Sequence, residues 1–307
     1  MAVLAPHLVR LERVAPGYAI AVWSSALAIR ALVSVLGAFF VVVVVPHSQL
    51  LDAFSHWCWD TLLPLLGIQL ELSGHRLGDA ATLIPTIVIG TSLLVVVHGT
   101  MRAARRIARL VAHHSLGTGP RGSVIVGGTD VVLGSAGLAH PRILVSAGAL
   151  LRLEDDELAA GLAHEQGHIA RRHRFFLLFA ELCRGLGRFV PGTNAACRAL
   201  VFHLERDADR WAIAHDHEPL VLARAICKAQ NAFSGGPAYA RLDGGCAPQR
   251  VAELVRPPVA PSSNALIRGL ATVMVLSTLS LLAWAPATAA AGMATFAKEH
   301  PVHHCEH

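Results

Sequence analysis

The segment GLAHEQGHIARRH (residues 161–173) places His164 and His168 four positions apart, with Glu165 directly after the first histidine. The surrounding residues are rich in Ala and Leu and contain no Pro, which predicts a helix over Glu154–His173. Acidic residues open that helix, where its dipole favours negative charge. Residues four apart lie on one face of a helix, so both imidazoles can bind the same atom.

The pattern His-Glu-x-x-His is typical of catalytic zinc sites. Such a site uses three protein ligands and leaves the fourth position for water. The metal lowers the pKa of that water, and a neighbouring carboxylate accepts its proton. We therefore predict one zinc ion bound by His164 and His168, with Glu165 as the general base. The alternative is an ordinary polar helix with surface salt bridges.

A third ligand is present in the segment HLERDADRW (residues 203–211). Glu205 and Asp209 lie on one face of a second predicted helix, Asn194–His215, because they are four residues apart. Glu205 can complete a site with two histidines and one carboxylate. Asp209 can then accept the ring N–H of a ligand histidine and hold that ring in place.

Other histidines are weaker candidates for the third ligand. His173 does not fit the extended motif HExxHxxGxxH, since that motif requires Gly at position 171 and His at position 174. Those positions hold Arg171 and Arg174. His203 is two residues from Glu205 and is expected to face elsewhere on the helix. Two further histidines near the helix end are expected at the surface, namely His215 and His217.

The composition indicates a membrane protein. Hydrophobic residues make up 53% of the 307-residue chain and charged residues 15%, where soluble domains carry about a quarter. Three apolar runs are predicted to span a bilayer: Ala19–Pro46, Ala81–Val97 and Ala265–Met293. The run Thr61–Leu72 is shorter and contains Pro. It is expected to be either an interfacial or re-entrant segment or a poor membrane span. The first run is too long and starts too late for a signal peptide.

Arginines near the predicted spans indicate the orientation, because cytosolic loops are rich in positive charge. Four of them follow the second span: Arg102, Arg105, Arg106 and Arg109. We therefore predict a multi-pass protein of the cell membrane in three parts. Residues 1–99 carry two spans, residues 100–264 form a cytosolic catalytic domain, and residues 265–307 form a third span and a short external tail. The net charge of +5 reflects this arrangement, and no motif for binding nucleic acid is present.

Short strands are predicted before the zinc helix. The runs VIV and VVL (within residues 123–134) are separated by glycines and suggest a hairpin. The segment RILVS (Arg142–Ser146) suggests a further strand, which either binds substrate backbone at a sheet edge or is a core strand. Cys58 and Cys305 fall on the external side, where they either pair or remain unrelated thiols.

Three stretches together resemble the integral-membrane zinc peptidases of the BlaR/MecR antirepressor type: PRILVSAGALLRLEDDELAAGLAHE, LAHEQGHIARRH and ERDAD. The chain is more distantly similar to the CaaX prenyl protease and to HtpX. The resemblance covers residues 134–211. It implies a gluzincin-like fold with zinc ligands His164, His168 and Glu205, the base Glu165 and the orienting residue Asp209. In the segment QRVAEL, Arg250 is similar to the arginine of a late motif in these families.

Two departures from these families are visible in the sequence. The prenyl protease branch has a late histidine before this arginine, whereas the loop here reads GGCAPQR and leaves Arg250 as the candidate oxyanion partner. BlaR/MecR receptors also carry an extracellular penicillin-binding domain, which we expect this chain to lack.

The sequence therefore predicts a mainly α membrane protein with about three transmembrane helices and a cytosolic zinc protease domain that carries a small β-sheet. The expected activity is a zinc-dependent endopeptidase that cleaves proteins at the cytosolic membrane face, such as a transcriptional repressor or misfolded membrane proteins. The expected partners are a protein substrate and membrane lipid. The alternative is a non-proteolytic membrane sensor or scaffold, in which zinc is structural.

Overall fold

The structure is a computed structural model that describes residues 14–43, 115–230 and 247–256, together with Leu11 and scattered positions within 87–105 and 269–280. It is mostly helical with a small mixed sheet, which confirms the predicted mainly α class with a small sheet. One described helix is long and apolar enough to cross a membrane. The second and third predicted spans are described only at scattered helical positions, and Thr61–Leu72, Cys58 and Cys305 lie outside the described residues.

Helix α1 (Pro16–Val43) is the first predicted span. Pro16 suits the first helical position, where no backbone N–H is needed. Half of its most apolar window is buried inside the protein. The buried side chains end at Ala31, and the side chains that follow include the exposed Val33 and Leu36. The first four turns of α1 are thus a core element, and its later part projects from the domain.

The described residues contain four strands, which form one sheet in the order β1-β2-β4-β3. The strands are β1 (Ser115–Thr118), β2 (Val124–Val126), β3 (Leu133–Ala136) and β4 (Arg142–Ser146). Strand β4 runs parallel to β2 and antiparallel to β3.

One expectation about these strands is wrong, and one open alternative is decided. The runs VIV and VVL do not form a hairpin, because β4 lies between β2 and β3. Of the two alternatives for RILVS, the core strand is confirmed and the edge strand is wrong, because β4 has a hydrogen-bonded neighbour on each side. The sheet order is decided by long-range pairing, which the alternation of side chains along one strand does not encode.

Within residues 147–256, the described part of the chain contains six helices. They are α2 (Ala147–Arg152), α3 (Asp155–Ala170), α4 (His173–Leu186), α5 (Thr193–Ala214), α6 (Pro219–Gln230) and α7 (Ala247–Val255). The second predicted helix, Asn194–His215, is confirmed as α5 to within one residue at each end, and Gly192 takes a left-handed conformation just before it. The first predicted helix ends three residues early, because Arg172 has a left-handed backbone (φ 58) that separates α3 from α4.

Helix α5 lies at the centre of the helical part, since it packs against α1, α3 and α4. Buried apolar side chains of α1, α4 and α5 form one cluster, which includes Trp23, Leu27, Cys183, Leu200 and Leu204. A second cluster joins the sheet to α2, α3 and α6, and a third joins α3, α5 and α6. The zinc helix predicted from sequence, α3, therefore lies between the sheet and α5.

We predict that Leu27→Ala destabilises the protein by about 2–5 kcal/mol, since Leu27 is fully buried and its truncation leaves a cavity against α4 and α5. Val33→Ala is the matched control, because Val33 lies on the same helix and is 51% exposed. Thermal and urea unfolding of both variants in detergent measures the difference. Equal, small effects would mean that α1 is not part of the domain core.

Candidate metal centre

The amino-terminal end of α3 is held by paired carboxylates. Glu154 and Glu157 form a capping box, in which each side chain accepts from a backbone N–H at the start of the helix. Glu157 is fully buried, and Lys228 on α6 lies 2.6 Å from its carboxylate. These contacts fix where α3 begins and tie it to α6, so the histidines two turns later have a defined position.

Small residues allow α3 and α5 to approach closely. Gly167 lies between the two histidines of the motif, and a Cβ there would come within 2.9 Å of Cβ of Trp211 on α5. Ala160 and Ala163 on α3, with Ala212 on α5, are buried in the same contact region. Short side chains let helix axes come close. The carboxylates of α5 are thereby brought within reach of the imidazoles of α3.

Three side chains converge at this contact. Nε2 of His164 lies 3.1 Å from Nε2 of His168, and oxygens of the Glu205 carboxylate lie 3.3 Å from each of these nitrogens. Ligand atoms at about 2.0–2.1 Å from a tetrahedral zinc ion lie about 3.3 Å from one another. The spacing and the two-histidine, one-carboxylate donor set therefore fit a zinc ion, and they form a group able to hold a metal.

Asp209 lies behind the first histidine. Its Oδ1 is 2.9 Å from Nδ1 of His164, on the side of the ring away from the Nε2 cluster. Burial disfavours protonation of this ring, but the hydrogen bonds to Asp209 and Glu205 outweigh burial and raise the pKa of His164 to about 10. A metal ion that binds Nε2 therefore displaces a proton from this histidine.

Arg250 on α7 joins the two carboxylates. Its Nη1 lies 2.6 Å from Glu205, and Nε and Nη2 donate to Asp209 at 2.9 and 2.6 Å. Burial opposes ionisation of both acids, but the positive guanidinium and the histidine partners together outweigh it. They hold the pKa of Glu205 well below its usual range and lower the pKa of Asp209. Arg250 thus keeps both groups ionised and orients them. Its predicted oxyanion role stays a prediction.

The remaining predicted residues have simpler surroundings. Glu165 follows His164 on α3 and is half-buried, next to the cluster that would hold the metal. His203 is buried on another side of α5 and contacts Arg206, which binds Glu253. His215, by contrast, is exposed and bonds to the carbonyl of Trp211.

His173 is a site residue that the sequence reasoning missed. Its Nδ1 lies 2.9 Å from Nδ1 of His168, and its Nε2 lies 3.2 Å from Oδ2 of Asp207. It is 2% exposed, and burial lowers its pKa. On an unbroken helix it would lie about 140° around the axis from His168. Arg172 has a left-handed backbone and turns the chain, so that His173 lies against His168. Helical spacing alone does not reveal this turn.

A helix with two histidine ligands crossed by a helix with a glutamate ligand is the arrangement of a metallopeptidase centre. Residues 134–196 match the model of peptidase family M48, which supports a metallopeptidase of this family in general. The match includes most of β3 and the whole of α3. Glu205 and Asp209 lie beyond it and are joined to the site by the packing of α5. No curated protein matches the chain.

Proposed function

We propose that the protein is a zinc-dependent endopeptidase that cleaves proteins at the cytosolic face of the cell membrane. The observation that carries this proposal is the convergence of His164, His168 and Glu205 at spacings suited to zinc, with both histidines inside the region that matches family M48. A transcriptional repressor of a regulatory pathway, as the BlaR/MecR resemblance implies, or a misfolded membrane protein would be the substrate.

Each residue of the site would have one task in peptide hydrolysis. A zinc ion held by His164, His168 and Glu205 would supply a water of lowered pKa and polarise the scissile carbonyl. Glu165 would be the general base, which takes up a proton and later donates it to the leaving amine. Asp209 holds the Nδ1–H of His164, so Nε2 of that ring faces the metal. Arg250 holds Glu205 and Asp209 in place through its three contacts.

The alternative function, a non-proteolytic sensor or scaffold with a structural zinc site, is less well supported. Structural zinc sites are closed by four protein ligands, whereas catalytic sites have three and a water. In the described part of the chain three side chains converge, and Glu165, which directly follows His164, is not among them. This open arrangement supports catalysis.

The edge of the sheet nearest the site suits an extended substrate. Strand β3 pairs with β4 on one side among the described residues, and Leu133 of β3 contacts α3 at Gly161. The amide of Ser146 donates to the carbonyl of Val132, so these two residues form a hydrogen-bonded pair. Along antiparallel strands such pairs alternate with pairs that are not hydrogen-bonded. Ser135 belongs to a pair of the second kind, and its N–H therefore points away from β4. A substrate strand can add to this edge through backbone hydrogen bonds.

The membrane location is supported by two surfaces. Three apolar side chains of α1 beyond Ala31 are exposed, namely Val33, Val35 and Leu36. Helix α4 has three faces: a buried face against the core, an exposed apolar stripe and a charged stripe. The apolar stripe contains the exposed Phe175 and Leu182 and the half-buried Leu178 at helical spacing, and the charged stripe contains Arg174, Glu181 and Arg184. This pattern is typical of a helix that lies at a membrane interface.

We predict that Glu165→Gln retains zinc and loses proteolysis by about 10²–10⁴-fold, because it removes a base and no ligand. His164→Ala, His168→Ala and Glu205→Ala lose both metal and activity. Zinc content and cleavage of fluorescent casein by purified protein measure the two effects. Glu181→Gln makes the same chemical change outside the site and serves as the control. A Glu165→Gln protein with full activity would show that the assigned mechanism is wrong.

We predict that Ser135→Pro lowers kcat/KM about threefold to tenfold, because it removes one backbone donor from the outer edge of β3. The substitution breaks no hydrogen bond between β3 and β4. Leu116→Pro on β1, the opposite edge of the sheet, is the control and leaves kcat/KM unchanged. Zinc content and melting temperature check that both variants are folded. An unaffected kcat/KM in folded Ser135→Pro would place the substrate elsewhere.

Reporter fusions test the topology. We predict that a fusion at Gly117 reports the cytosol and that a fusion after His307 reports the external side, because one predicted span separates them. Activity of a reporter such as alkaline phosphatase, which requires export, measures the side. If both fusions report one side, the proposed number of spans is wrong.

A further inference from the structure

We propose that His173 and Asp207 form a hydrogen-bonded relay that positions His168 for metal binding. The contacts run in series: Nδ1 of His168 lies 2.9 Å from Nδ1 of His173, and Nε2 of His173 lies 3.2 Å from Oδ2 of Asp207. This inference rests on the proposed role of His168 as a metal ligand. It gives His168 an orienting partner, as Asp209 is for His164.

The assignment of protons along the relay is unique if His168 binds metal through Nε2. That nitrogen must then offer its lone pair, so Nδ1 of His168 carries the hydrogen and donates it. Nδ1 of His173 must accept, and the hydrogen of His173 is therefore on Nε2. That N–H donates to Asp207, whose carboxylate accepts. Each donor in the series has one acceptor, and the carboxylate ends the series.

His173 is not itself a ligand of the proposed metal. Nε2 of His168 lies in the cluster with His164 and Glu205, whereas His173 contacts the other nitrogen of that ring. The relay therefore lies on the opposite side of the His168 ring from the metal position. Its function is to fix the tautomer and the rotation of the ring, which is the usual role of an outer hydrogen-bond partner of a zinc ligand.

The surroundings hold the relay rigidly. His173 is 2% exposed, and Asp207 is additionally approached by Nε of Arg171 at 3.7 Å. Arg172 has a left-handed backbone, which is uncommon for a residue other than Gly. That conformation is what directs His173 back toward α3. The carboxylates of both orienting systems, Asp207 and Asp209, come from α5, so one helix positions both histidine ligands.

Zinc affinity of the purified full-length protein, measured by competition with a chromophoric chelator, tests the relay without reference to proteolysis. We expect His173→Phe, which fills the space and removes both hydrogen bonds, to weaken zinc binding about 10–100-fold. His173→Asn places an amide oxygen near the position of Nδ1, so we expect it to recover most of that loss. Asp207→Ala removes only the outer acceptor and should give an intermediate loss.

His203→Phe is the matched control, because His203 is equally buried and contacts Arg206 rather than a proposed ligand. We expect its zinc affinity to equal that of the unmodified protein even where its melting temperature falls. His173→Phe with normal zinc affinity, or His173→Asn with as large a loss as His173→Phe, would overturn the relay. If His173→Phe does not fold, the zinc affinities of the other two variants decide. The relay requires Asp207→Ala to bind zinc more weakly than both the unmodified protein and His173→Asn.

His168→Ala separates this inference from the proposed function. If His168→Ala loses zinc while the relay variants keep normal zinc affinity, the proposed metal site stands and the relay is wrong. Normal zinc affinity in His168→Ala would instead contradict the metal site itself, and the relay with it.

Discussion

The close contact between α3 and α5 is the constraint on which the site depends. Neither helix holds the complete group able to bind a metal, because two of the proposed ligands are on one and the third is on the other. The contact is made where α3 has Ala and Gly, and a Cβ at Gly167 would meet Trp211 at 2.9 Å. A wider separation of the helices would move Glu205 away from the imidazoles and leave a histidine pair alone.

This contact also buries charge, which is costly unless the charges are paired. Glu205 and Asp209 are both buried and lie one turn apart on α5. Arg250 contacts both, and so a helix from outside the matched region completes the electrostatics of the site. The result is a cluster in which every acid has a basic or imidazole partner, and in which the orientation of the ligands follows from the same hydrogen bonds that stabilise the charges.

Helix α1 connects the site to the proposed membrane location. Its buried part shares a cluster with α4 and α5, so it supports the helix that carries Glu205. Beyond Ala31 it exposes the apolar side chains of Val33, Val35 and Leu36. The same helix can therefore act as a core element and as the start of a membrane contact, because its apolar surface extends all round and beyond the length that the domain covers. The exposed apolar stripe of α4 is consistent with a bilayer alongside it.

The sequence by itself determined the local chemistry. The spacing of His164, Glu165 and His168 on a helix, and of Glu205 and Asp209 on another, could be predicted because helical periodicity is a local property. The tertiary structure alone decided the rest. It placed β4 inside the sheet, since strand order depends on pairing between distant segments, and it joined Arg250 to both carboxylates. It also returned His173 to His168 through one left-handed residue, because a single backbone dihedral redirects a chain without leaving a periodic signal in its sequence.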